Sequence, residues 1–333
     1  MVKGNQSFIF NAGIFILSTS TVVGPFEGKG PLSGDFDIIH DDIWMNQDSF
    51  EKAEKIMLEE AALRTIEKAG IKKEEINLFI SGDLLSQIIS SNFAARTIGS
   101  PYIGIYSACS GSMESLLLAA LIMEGNDIPY ILTGTSSHNA SAEKQFRYPT
   151  EYGSQKPPTA QWTVTGAGTC LLTKMFQGPK ITSATIGKIV DMGVCDPFNM
   201  GSAMAPAAAD TLYTHFQDLG ITPDYYDIIA TGDLGNVGHK ICKDLLKDKG
   251  LEMPDNIFTD CGMLIYGDNQ NVQAGGSGCA CSAVVTFGHF LNRMNRKEIK
   301  RILVVATGAL HSPLSYQQKE SIPGIAHGVA IEM

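Results

Sequence analysis

Cys109 stands in the surroundings best suited to chemistry. The run Ser107-Ala108-Cys109-Ser110-Gly111-Ser112 follows a strand-like stretch, Tyr102 to Tyr106, and leads into an apolar helix through Met123. That order places the thiol at a helix start, where the positive end of the dipole favours thiolate. The same free N–H groups would bind an anion with no nucleophile at all. A buried thiol serving only as a small apolar residue is the plainer alternative. A nucleophilic Cys109 would need a base, and His239 or His311 are the fallback partners. Cys279-x-Cys281 starts an apolar helix, and neither Cys242 nor Cys261 sits at zinc-finger spacing, so no metal site is expected. Gly275-Gly276-Ser277-Gly278 lacks the lysine and glycine spacing of a phosphate loop.

Two copies of one pattern position these residues. Ala61-Ala62 opens a helix ending at Ala69-Gly70, followed by the strand Ile76 to Ile80 and Ser81-Gly82-Asp83-Leu84. Ala208-Ala209 opens a second helix ending at Leu219-Gly220, followed by the strand Tyr226 to Ala230 and Thr231-Gly232-Asp233-Leu234. The Cys109 run is matched by Gly276-Ser277-Gly278-Cys279-Ala280-Cys281, again ahead of an apolar helix. Tyr130 to Gly134 parallels Arg301 to Val305, and Gly166 to Leu172 parallels Ala326 to Ile331. Short β-rich runs alternating with helices predict parallel crossovers and a sheet covered on both faces. Helices apolar all round are buried ones. The expected architecture is α/β, a duplicated α/β/α/β/α sandwich of five layers. Its halves span residues 1–178 and 179–333, with the seam near Gly178-Pro179-Lys180. A long polar insertion, 136–164, interrupts the first half, and insertions of that length serve function or assembly.

Composition narrows the function classes. The chain has 333 residues, 44% of them hydrophobic and 18% charged, enough for a large core. The 25 Lys and Arg against 35 Asp and Glu give a net charge of −10, which argues against nucleic acid as a partner. Seven scattered cysteines point to reduced thiols. No apolar signal core opens the chain, and Leu116 to Met123 is far short of the roughly 20 residues of a spanning helix. A soluble chain, at most peripheral to a membrane, is expected.

The duplicated pattern with Ser-Ala-Cys-Ser-Gly at the first buried helix is similar to the thiolase and ketoacyl-synthase superfamily over nearly the whole chain. More narrowly, Ser136-Ser137-His138-Asn139 with Gln145 to Gly153, and Pro157 to Gly168, resemble the stage V sporulation protein AD family of spore-forming bacteria. That resemblance implies a thiolase-like protein that binds dipicolinic acid and helps move it into the developing spore. It implies a location peripheral to the spore inner membrane and integral membrane partners of the same transport assembly. A homodimer is expected, since thiolase-like folds commonly pair. Thiolase-type chemistry needs His, Asn or Cys partners beside the nucleophile. Here Thr231 to Asn236 contains no His, and Gly276 stands where an Asn or His would be expected. Binding without catalysis is therefore the leading expectation. An acyltransferase or condensing enzyme using Cys109 is the alternative.

Dipicolinate is a flat dianion, and it sets the expected ligand site. Helix starts at Ser110 and Ser277 would offer N–H and hydroxyl donors, and Lys144 and Arg147 would offer cations. Cys109, Asp233 and His311 complete the expected lining. Asp83 and Asp233 end equivalent strands and read first as turn or capping residues. They would repel a bare dianion, less so with calcium alongside it. No other cofactor is expected.

Overall fold

The structure, a computed structural model, describes residues 1–146 and 156–333. The first half contains β1 (Val2–Lys3), β2 (Ser7–Val23), β3 (Ile38–Ile39), α1 (Phe50–Ala69), β4 (Leu78–Gly82), α2 (Ile89–Ile98), β5 (Tyr102–Gly104), α3 (Gly111–Gly125), β6 (Ile131–Ser137), α4 (Asn139–Phe146), β7 (Trp162–Thr163) and β8 (Gly166–Thr173). The second contains β9 (Lys180–Thr185), α5 (Met200–Leu219), β10 (Ile228–Thr231), α6 (Gly235–Asp248), β11 (Phe258–Asp260), α7 (Cys261–Leu264), β12 (Gly276–Ser277), α8 (Cys279–Val284), α9 (Leu291–Asn295), β13 (Arg301–Ala309), α10 (Pro313–Gln317) and β14 (Gly324–Glu332). A π-helical turn, Val285–Phe290, joins α8 to α9.

The duplication is visible in strand order. One half-sheet runs β5-β4-β6-β8-β2 and the other β11-β10-β13-β14-β9. In each, the three strands farthest from the seam pair in parallel and the remaining pairs are antiparallel. The halves meet edge to edge where β2 pairs antiparallel with β9, Ser7 opposite Thr185 and Phe15 opposite Lys180. A small parallel pair, β7 with β12, ties the insertion to the second half.

Two features depart from the sequence reading. The 17-residue β2, the longest strand described, carries no clear strand signal in the sequence. Its apolar alternation is broken by Asn11 and Gly13, and its pairing shifts register between Ile9 and Ile14 and again between Ile16 and Ser18. Bulges of that kind erase the period-2 signal. The helices expected to open at Ala61 and Ala208 begin earlier, at Phe50 and Met200. In α1 the cap is Ser49, whose hydroxyl accepts from Lys52 N at 3.3 Å. Glu54, Glu59 and Thr65 are buried along α1 and hide its apolar stripe. Both helices end as expected at a glycine in the left-handed region, Gly70 (φ +69°) and Gly220 (φ +66°), where a side chain would be strained.

Layering follows from which helices are apolar all round. α1 and α2 lie on the outer face of the first half-sheet, and α5 packs on the second with α6 against it. Between the sheets, α3 touches β2, β4 and β6 on one side and β13 and β14 on the other. Met113, Leu116 and Met123 of α3 and Phe287 and Phe290 of the π-turn join one central core. The fold is the expected five-layer α/β/α/β/α sandwich.

Candidate functional site

The chain delivers Cys109 through a strained turn. After β5, Ala108 adopts φ +50°, unusual for a residue with a Cβ. The Ser110 hydroxyl holds the turn closed by donating to Ser107 O at 2.8 Å and Ser107 Oγ at 2.7 Å. α3 starts at the next residue. Across the pseudo-symmetry, Ser277 lies just before α8, and Cys109 Sγ comes within 4.0 Å of its Oγ. One turn deeper, Ser112 and Ser282 hydroxyls meet at 2.6 Å. The two buried helices therefore face each other across a seam of hydroxyls.

Cys109, Ser277 and His311 line a pocket whose other walls include Leu84, Phe146 and Met200. Its inner volume is about 40 Å³, room for two or three waters at roughly 15 Å³ each. It opens past Tyr106, Phe146 and His311 into an outer chamber of about 370 Å³, within the range of small-molecule sites. His311 is nearly buried and packs its ring 6.0 Å from those of Phe146 and Tyr316.

Asp233 sits behind the thiol. Its Oδ1 accepts from Thr307 Oγ1 at 2.6 Å, and its Oδ2 accepts from Ser277 Oγ and Gly278 N, both at 2.9 Å. Burial raises its pKa, opposed by these donors and by the Cys109 thiol. The effect on Cys109 is reciprocal. Burial first, then the Asp233 carboxylate, pushes the thiol well above its ordinary range. The thiolate expected from the helix dipole is overturned, because desolvation and a neighbouring anion outweigh a partial positive charge.

The remaining expected residues are dispersed. Ser110 spends its hydroxyl on Ser107 and does not line the pocket. Lys144 lies outside, bonded to Glu51 at 2.7 Å on a mostly exposed side chain. Arg147 falls outside the described residues. His239 is in α6, stacked on Phe258 at 4.3 Å, and is no base for Cys109. Asp83 takes the capping role, accepting from Leu85 N at 2.8 Å and Ser91 N at 2.7 Å. Phe146, Met200 and Tyr106 line the pocket unforeseen, since apolar and aromatic residues in helices and loops carry no motif. Among the described residues, no group of three or more His, Cys, Asp or Glu could hold a metal ion.

A family model of stage V sporulation protein AD matches residues 4–332. Stage V sporulation protein AD of Bacillus subtilis (strain 168) is 49% identical over 331 residues, covering 99% of this chain and 98% of that protein. The chain belongs to the stage V sporulation protein AD family. Sporulation is thus its setting, and its thiolase-like fold is shared with condensing enzymes. The 3-oxoacyl-[acyl-carrier-protein] synthase III of Aquifex aeolicus VF5 superposes with a TM-score of 0.61 at 15% identity, covering 96% of this chain and all of that one. A variant of OleA from Xanthomonas campestris superposes with a TM-score of 0.66 at 14% identity over the whole of both chains.

For this family member, the position after β10 where a thiolase-type enzyme keeps a His holds no His, and the Cys109 thiol meets the Asp233 carboxyl instead. Thr231 to Asn236 supplies Asp233 alone, locked in hydrogen bonds, and the backbone before α8 supplies Gly276. The described site keeps a pocket, a protonated thiol and fixed hydroxyls. Among the described residues, no lysine or arginine lines it.

Proposed function

We propose that this protein is a non-catalytic binding protein for dipicolinic acid, acting in dipicolinate uptake into the developing spore. The observation that carries this reading is Asp233, a buried carboxyl beside Cys109 in place of the imidazole that thiolase-type chemistry uses. An acyl-transfer enzyme lowers its nucleophile's pKa, and here burial and an anion raise it. The pocket's mixture of Phe146, Leu84 and Met200 with the Ser277 hydroxyl and His311 suits a flat aromatic ring carrying polar groups. Dipicolinate chelated to calcium would need no protein metal site, because the chelate itself supplies the carboxylate oxygens calcium prefers.

No helix among the described residues is long and apolar enough to cross a membrane. Transport would therefore require integral membrane partners from the same sporulation assembly, with this chain as a homodimer peripheral to the spore inner membrane.

A second reading keeps one observation in its favour: Cys109 and His311 line the same pocket. It makes the protein a Cys-dependent acyltransferase. Calorimetric titration with dipicolinic acid, with and without calcium, and with an acyl-coenzyme A as comparator, separates the two. Saturable dipicolinate binding that is lost in Cys109→Phe, which fills the inner 40 Å³, is the expected result. Acylation of Cys109 by the thioester with no dipicolinate heat would overturn the binding role.

A further inference from the structure

The stretch Pro157 to Gly168 holds a buried amide with no role in the site described. Gln161 is 3% exposed, and its Nε2 donates to Asp233 O at 2.6 Å and to Gly276 O at 3.0 Å. The first carbonyl belongs to the loop after β10 and the second to β12, so one side chain joins segments far apart in sequence. Turned over, the amide would press Oε1 against both carbonyls, so its hydrogen bonds fix its orientation. Oε1 itself has no hydrogen-bond partner among the described residues. An unpaired buried oxygen is unfavourable, and it persists here because Nε2 serves two carbonyls at once. Gly235 leaves the amide its room. With φ at +62°, a Cβ there would lie 3.1 Å from Gln161 Nε2 and 2.5 Å from Ala274 O.

The same two segments carry the groups around the thiol. Asp233 Oδ2 accepts from Ser277 Oγ and Gly278 N, both at 2.9 Å. Ser277 stands opposite Thr163 in the β7–β12 pair, and both residues line the inner pocket. Gln161 enters that pair between Ala160 O, which accepts from Ala274 N at 2.9 Å, and Trp162 N, which donates to Gly275 O at 2.9 Å. A closed ring results. Its one side runs from the Asp233 carbonyl through Gln161 to Gly276, and its other from the Asp233 carboxyl to Ser277 and Gly278.

We propose that Gln161 is a positioning residue that holds Asp233 and Ser277 against Cys109 and so keeps the thiol inert. Without its amide, two buried carbonyls lose a donor and must turn toward others, which moves Asp233 away from Cys109. The geometry belongs to the pocket whatever enters it; its use, silencing a nucleophile, rests on the non-catalytic reading. Asp233 is the charge that bears on the thiol. Tyr106, Cys279, Cys281 and His311 are the other titratable groups around it, and they are common to every variant compared below.

Alkylation of Cys109 by iodoacetamide tests this in the full chain carrying Cys195→Ser, at pH 8 and without ligand. Gln161→Met keeps the length and removes both donations. The rate should rise by about three- to tenfold, the latter matching one unit of thiol pKa. In an Asp233→Asn background the same change should alter the rate by less than about twofold, because no charge is left to misplace. An unchanged or slower rate in Gln161→Met overturns the proposal. An equal rise in both backgrounds reports easier access to the thiol and overturns it as well. Should Gln161→Met fail to fold, Gln161→Asn, whose amide is too short to span both carbonyls, is read through the same cycle with the same outcomes. No ligand enters this experiment, so the dipicolinate titration decides the binding role separately.

Discussion

At the scale of single residues, Asp233 decides what Cys109 can do. Replacing it by Asn removes the charge and keeps the shape. The thiol pKa should then fall, and iodoacetamide should alkylate Cys109 faster at pH 8, by about tenfold for one unit of change. Mass spectrometry on a Cys195→Ser background reads this cleanly, since Cys195 is the one exposed thiol. An unchanged rate would mean that burial alone holds the thiol protonated. Ala108 offers a second check. Its left-handed backbone costs about 1 kcal/mol that glycine does not incur, so Ala108→Gly should raise the unfolding free energy by about that much in a urea titration. The sequence made Cys109, Ser277 and His311 legible because glycine, serine and strand ends mark a pocket floor. It could not reveal that Lys144 turns to Glu51, because a lysine's partner across the fold is a tertiary fact.

At the scale of elements, α5 and α6 cross at two glycines. A Cβ on Gly201 would lie 2.4 Å from Leu234 O, and one on Gly238 would lie 2.5 Å from Gly201 O. Backbone cannot yield as a side chain tip does, so Gly201→Ala should force the helices apart at about 1–3 kcal/mol, read as a lower unfolding midpoint. Met200, next to this crossing, lines the pocket, so the same variant should weaken ligand binding if the pocket is the site. The duplication was legible because equivalent strands share apolar runs ended by Gly-Asp-Leu. β2 was not, since its bulges and its inner Asn11 and Gly13 break the alternation that marks a strand. The true start of α1 was hidden by Glu54 and Glu59, polar residues facing inward where the apolar stripe should be.

At the scale of the whole molecule, buried acids set the pH response. Burial raises Glu27 to about 7 and Asp83 and Asp260 to about 6, and it raises Asp233 and Glu54 as well. A raised acid favours the folded state below the ordinary carboxylate range, and that contribution is lost as pH climbs through the folded value. His215 and His327, depressed by burial to about 3 and 4, act oppositely, losing their contribution as pH falls from 6.5. Glu114 is raised as well, and His138 and His239 are depressed, so among the described residues six carboxyls against four imidazoles leave the folded state binding more protons between about pH 4.5 and 7. The urea midpoint should therefore fall from pH 5 to pH 8. A midpoint that rises over that interval would contradict this balance.

The β2–β9 join gives the chain an order of assembly. β2 is made first, yet one long edge stays bare until residues 180–185 leave the ribosome. α3 meanwhile offers half its apolar surface to a sheet that has not been synthesised. A nascent first half is thus a sticky intermediate with an open strand edge, the kind of species chaperones hold. Cut between Gly178 and Pro179, the two pieces should each aggregate when expressed alone and recover a common fold when expressed together.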